Sequence, residues 1–270
     1  MKFTDSHCHL DFDEFNEHRA QLLENCRKEN INTIIVPAVS PNNWEKVIAM
    51  ANCVAQHPDT NPNIYPCAGI HPWFLDELND NDLMKLSHFV NQHANQLVAI
   101  GEAGIDGVIA AEQNNLHKQQ HFFSFQLALA KEHELPIIVH HRNSHQHIFP
   151  LLKAQKIEKG GIIHAFSGSY QQATSYIDLG FKLGIGGTIT YDRAIKTINT
   201  IKRVPLSSLL LETDAPAMPL SGHQGEVNTP LHLLEVFKRL VEIRSEPAEQ
   251  IAMQLEKNCQ SLFDVSNLKP

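Results

Sequence analysis

Two histidines one residue apart, His7 and His9, stand near the start of the chain. On an extended segment alternate side chains share a face, so both imidazoles can grip one metal ion. Spacing alone says little: with 17 histidines in 270 residues, composition alone yields roughly one such pair. A second pair, His145 and His147, is indeed present. Position carries the argument instead. Side chains of metal-ligating type end a series of short apolar runs: His7 and His9 the first, Glu102 the fourth, His140 the fifth, His164 the sixth and Asp214 the eighth. A single residue of this kind at a strand end often faces solvent or caps the next helix; six together point to one site.

Mixed imidazole and carboxylate ligands suit Zn²⁺, Mn²⁺, Ni²⁺ or Fe²⁺, and with enough water Mg²⁺. A catalytic zinc uses three protein ligands and keeps one position open, so six ligands predict two divalent ions. Two ions about 4 Å apart lower the pKa of a bridging water and stabilise charge on the attacked and leaving oxygens. The chemistry expected is hydrolysis, with Asp214 orienting the water and taking its proton. Arg142, two residues after His140, offers a planar donor pair for a phosphate or carboxylate, with a surface ion pair as its plainer role. Cys8 faces away from the two histidines by strand parity and reads as a small buried hydrophobe. His71 either reaches substrate or packs, and His145 and His147 read as the start of a helix.

These residues need a scaffold that brings strand ends together. Apolar runs rich in β-branched residues occupy 2–4, 33–37, 65–70, 97–101, 137–139, 161–163, 181–185 and 209–212. Helical stretches separate them, near 14–29, 42–56, 80–95, 112–133, 171–179 and 230–243. The clearest is 112–133, where Leu116, Phe123, Leu127 and Ala130 recur on one face. A last helix begins after Ser245 as cap, with Pro247 in its first turn. Strict β-α alternation gives a parallel sheet, and eight repeats favour a single-domain (β/α)₈ TIM barrel over 1–270, whose strand C-terminal ends form one mouth.

Bulk properties fit that expectation. Hydrophobic residues make up 42% and charged residues 19%, as in ordinary globular proteins. No stretch reads as a membrane span or signal peptide. Five cysteines without a C-x-x-C pair argue against a disulfide framework and fit a reducing cytoplasm. The net charge of −8 supplies no general basic surface for duplex nucleic acid. No exposed heptad or apolar stripe calls for a partner copy, so a monomer is expected.

With HCHLDF, GEAGID, PIIVHHRN, GIIHAFSGS and LLLETDAP in view, the chain resembles the TatD family of metal-dependent hydrolases nearly end to end. IGGTIT, LLLETDAPAMPL and the following G-x-Q-G-x-x-N-x-P resemble its YjjV branch more than the TatD nucleases themselves. The resemblance implies that His7 and His9 bind a first metal with Asp214, that Glu102 bridges two metals, and that His140 and His164 complete the second. It implies phosphodiester cleavage, typically at the 3′ end of DNA. Three departures bear on that substrate: Gly107 stands where the family has an aromatic, Asn143 replaces an acidic residue, and the loop SGHQGEVNTP lacks the family's arginines, leaving His223 as its phosphate-binding candidate.

The leading expectation is therefore a phosphodiesterase or deoxyribonuclease acting on nucleotide ends or a small phosphoester. A hydrolase of amide, ester or lactone bonds, in a small molecule or an aminoacyl-tRNA, is the second, because fold does not fix substrate. A non-catalytic metal-binding protein is the third.

Overall fold

The computed structural model describes residues 1–265. Strand and helix alternate as β1 (Phe3–Asp5), α1 (Arg19–Lys28), β2 (Ile31–Pro37), α2 (Trp44–Val54), β3 (Asn63–Ala68), α3 (Asp80–Gln92) and β4 (Ala99–Asp106), then α4 (Gly107–Gln113) and α5 (Leu116–Glu132). They continue as β5 (Ile137–Arg142), α6 (His145–Gln155), β6 (Gly161–Ile163), α7 (Tyr170–Asp178), β7 (Phe181–Ile185), α8 (Ile195–Ile201), β8 (Leu209–Leu211), α9 (Leu233–Ile243) and α10 (Ala248–Phe263). The strands form one parallel sheet in sequence order. The seam between β8 and β1 is closed beyond the strand ends, where Ser6 N–H donates to Leu211 O, Asp214 N–H to His7 O and His9 N–H to Ala215 O, at 2.8–2.9 Å. This is the expected (β/α)₈ barrel, and the residues that close it are those expected to do chemistry.

The core has two layers. Alternate strand residues Ile35, Cys67, Ala99, Ile138, Ile162 and Leu210 form an inner cluster, stoppered by Cys259, Leu262 and Phe263 of α10. Their neighbours on the opposite faces, among them Ile34, Ile100, Val139 and Leu211, pack under the helices. Parity then positions the site: His140 lies two residues beyond Ile138 and His164 two beyond Ile162, so both continue the inward rows.

Strand β4 breaks this rule usefully. From inward Ala99, strict alternation sends Glu102 outward. The pairing with β5 shifts register between Ile100 and Ala103, and the extra residue turns Glu102 inward along with Gly104 and Asp106. Gly104 is required there, because a Cβ would stand 2.2 Å from the His140 carbonyl oxygen.

Several element limits differ from the sequence-based expectation. The helix expected at 112–133 is two helices, α4 and α5, parted at Asn114 in the left-handed region (φ 51°). The first helix begins at Arg19, after a separate 3₁₀ turn at Asp13–Phe15. Helix α10 begins beyond Pro247, and Ser245 does not cap it. β4 and β5 run past the expected ends to Asp106 and Arg142, so Glu102 and His140 lie within strands. No helix among the described residues is long and apolar enough to cross a membrane.

Candidate metal centre

All six residues expected at the barrel mouth come together. His7 Nε2 lies 3.1 Å from Glu102 Oε2 and 3.5 Å from Asp214 Oδ1, and His9 Nε2 lies 3.3 and 3.6 Å from the same atoms. On the other side of Glu102, Oε1 is 2.9 Å from His140 Nδ1 and 3.7 Å from His164 Nε2, which is also 3.8 Å from Asp214 Oδ2. Glu102 thus touches both halves of the cluster, one oxygen to each.

A metal ligand must present a lone pair, so the fit to a cation can be tested by asking where each histidine proton sits. His9 Nδ1–H donates to Pro37 O at 3.1 Å. His164 Nδ1–H donates to Glu212 Oε1 at 3.0 Å. His140 Nε2–H donates to Asp106 Oδ2 at 3.1 Å. In each case the outer nitrogen is tied to an acceptor and the inner nitrogen is turned to the cluster, where a cation would meet its lone pair, the arrangement that orients metal-binding imidazoles. The inner nitrogens of His7 and His9 are only 3.2 Å apart, and the outer nitrogen of His7 is buried without a partner; both inner nitrogens could meet one shared cation. The donor set fits divalent metal.

His71 joins this cluster with the opposite polarity. Its Nδ1 accepts from Trp73 N–H at 3.1 Å, so Nε2 carries the proton and points at Glu102 Oε1, 3.3 Å away. Burial holds its pKa down to about 4, which keeps the ring neutral and makes it a hydrogen-bond donor to the site. Burial raises Asp214 to about 6. His164 is pushed up to about 10, burial being overcome by Glu212, Asp214 and Glu102; this excess of negative charge is what a bound cation would neutralise.

Two supporting carboxylates lay outside the sequence-based set. Asp106 accepts from His140 and from Trp73 Nε1 (2.7 Å) with one oxygen, and caps α4 through Val108 and Ile109 N–H with the other. Glu212 is fully buried and also accepts from Ala165 N–H. Both were visible in GEAGID and LLLETD as acidic residues an even number of positions from Glu102 and Asp214.

The cluster opens into a cavity of about 910 Å³ lined by His140, His164, Asp214, Arg142, Trp73 and Lys196, among others. Of the expected substrate-side residues, Arg142 reaches this cavity, with its guanidinium 3.6 Å from Asp106, whereas His71 is buried behind it against Glu102. His223 is not among its lining residues and is held by Glu226 and Glu235 instead. His141 is packed against Tyr176 and His145 rather than the Glu102 cluster, though both histidines line the cavity, and Cys8 is buried in the outer core. His145 opens α6, as expected.

The profile of the TatD related DNase family matches residues 4–264. The chain belongs to the TatD family. It is 40% identical to the metal-dependent hydrolase YjjV of Escherichia coli, covering 98% of each chain. It is 39% identical to a metal-dependent hydrolase of Haemophilus influenzae, over 97% of this chain and all of the other. The crystal structure of E. coli YjjV, a TatD homolog, superposes with a TM-score of 0.91 over 97% of this chain and 98% of that one. A TatD family hydrolase from Entamoeba histolytica, 19% identical, shares the fold with a TM-score of 0.85. The TatD family membership makes this chain a metal-dependent hydrolase, with several groups of candidate metal ligands at the barrel mouth.

Proposed function

We propose that the chain is a phosphodiesterase of deoxyribonuclease type that holds two divalent ions. His7, His9 and Asp214 would hold one, His140 and His164 the other, and Glu102 would reach both. The observation that supports this most is the set of inward ring nitrogens of His9, His140 and His164, each with its outer nitrogen held by an acceptor, arranged around a carboxylate with one oxygen toward each half. Bound there, the ions would supply Lewis acidity and an acidified water.

The protein's own groups complete the reading. Asp214 borders the cavity, and its carboxylate, raised toward neutrality by burial, suits it to take a proton from the attacking water. Arg142 and Lys196 present cations to a phosphate. His71 gives its neutral Nε2–H to Glu102 Oε1 and so helps to fix the carboxylate that reaches both halves. Trp73, 48% exposed with its indole N–H pinned by Asp106, offers a fixed ring face on which a terminal base can stack. That face compensates for the aromatic missing at Gly107.

The test is hydrolysis of bis-p-nitrophenyl phosphate, and nucleotide release from single-stranded DNA ends, with Mg²⁺, Mn²⁺, Zn²⁺ or Ni²⁺. Metal-dependent turnover of both is expected, falling by about 10²–10⁴-fold in Asp214→Asn, the range for a positioned proton acceptor. Turnover of amide, ester or lactone substrates with neither phosphodiester cleaved would replace this reading by the second one.

A further inference from the structure

The loop from β8 to α9 and the first turn of α9 carry a second group of ligand-type side chains. His223, His232 and Glu235 present one ligand atom each within 4.8 Å of one another. His223 and His232 rings face each other with centroids 4.5 Å apart. The proton logic of the barrel mouth repeats here. His223 Nδ1–H donates to Glu226 Oε2 at 2.9 Å, and its Nε2 lies 3.3 Å from Glu235 Oε2. His232 Nδ1 meets Asn228 Oδ1 at 2.9 Å. Asn228 Oδ1 also takes the Thr229 N–H at 2.9 Å, so that donor is already satisfied and its 3.4 Å approach to His232 Nδ1 is secondary. His232 therefore carries its proton on Nδ1 and keeps the Nε2 lone pair free.

We propose that His223, His232 and Glu235 form a separate, solvent-facing binding site for a transition-metal dication of the Zn²⁺ class. Two imidazoles and one carboxylate select such ions over Mg²⁺ or Ca²⁺. Three protein ligands leave a fourth position to water. Glu226 and Asn228 hold the outer nitrogens of the two rings, as supporting acceptors do in metal sites. An ion pair accounts for His223 lying between two carboxylates, and the capped turn Pro230–His232 sets the place of His232; a cation would use both rings together.

The site has a route to the barrel mouth. The buried amide of Asn228 donates to Thr213 O and Ala217 O at 2.8 Å and to Met218 O at 3.3 Å, the backbone flanking Asp214. An ion on His232 thus pins the same asparagine that shapes the segment carrying Asp214. The role assigned is a clamp on the loop rather than a place of reaction.

The experiment is titration of chelator-treated full-length protein with Zn²⁺, counting bound zinc by elemental analysis after desalting. Comparison is with Glu235→Gln and His223→Phe, which leave Asn228 untouched, and circular dichroism confirms their fold. Wild type is expected to hold one zinc equivalent more than either variant, and His140→Ala, altered only at the mouth, is expected to keep that equivalent. Because the count is a difference, it stands whatever the barrel mouth binds. Equal zinc content in wild type and both variants would reduce the cluster to an ion pair.

Discussion

Glu212 shows how a side chain remote from substrate can govern the metal centre. It fixes the His164 tautomer, and its second oxygen has no partner. Replacing it by Gln keeps the shape but removes the charge that makes His164 a strong ligand. Affinity for divalent metal should fall by about 10–100-fold, read by competition with a fluorescent chelator, while circular dichroism stays native. The six central ligands were legible because each sits where an apolar run stops. Glu212 and Asp106 stood in view as acidic residues of the same motifs, but their role was not legible, because it depends on which ring nitrogen they face and a sequence does not number ring nitrogens. His223 follows Asp214 closely in sequence, but in the structure it is taken by Glu226 and Glu235 and does not line the cavity.

At the level of elements, strand limits were harder to read than strand existence. β4 looked five residues long because GEAGID is polar, yet it continues through Asp106, fully buried. Only pairing with β5 reveals the register shift that brings Glu102 inside. β7 contributes space rather than a ligand: a Cβ on Gly184 would stand 2.1 Å from Glu212 Oε2. Gly184→Ala should therefore cost about 1–3 kcal/mol of stability, as overpacked cores do, and weaken metal binding alongside, in contrast to a simple packing defect. Elsewhere, half-buried Arg244 ties the end of α8 to the turn before α10, donating to Ile201 O at 2.7 Å and Val204 O at 2.8 Å while pairing with Glu246. Arg244→Met should cost about 1.5–3 kcal/mol in urea unfolding, the usual worth of charge-assisted bonds. Arg244 holds the Glu246 carboxyl below its ordinary value. Its share of that stability is complete above the unfolded carboxyl pKa of 4.5 and is lost as pH falls below it.

For the molecule as a whole, a buried cluster of four histidines and two carboxylates is a liability unless something occupies its centre. Stripping divalent ions should lower the melting temperature by about 5 °C or more, and restoring them should raise it in a concentration-dependent way, as for any ligand of the native state alone. Scanning calorimetry at several metal concentrations checks this; a melting point indifferent to chelator would contradict metal at the mouth.

The seam has a consequence for how the molecule comes into being. Asp5 accepts from Thr213 N–H and hydroxyl across 208 residues of chain. The last strand, emerging late from the ribosome, closes the cylinder against the first. Contacts so distant in sequence form late and slowly. Until then His7 and His9 have been made but face no Asp214, and a nascent or truncated chain lacks a completed centre. Competence is thus withheld until β8 and Asp214 have been synthesised, a dependence of the first motif on the last built into the order of the strands.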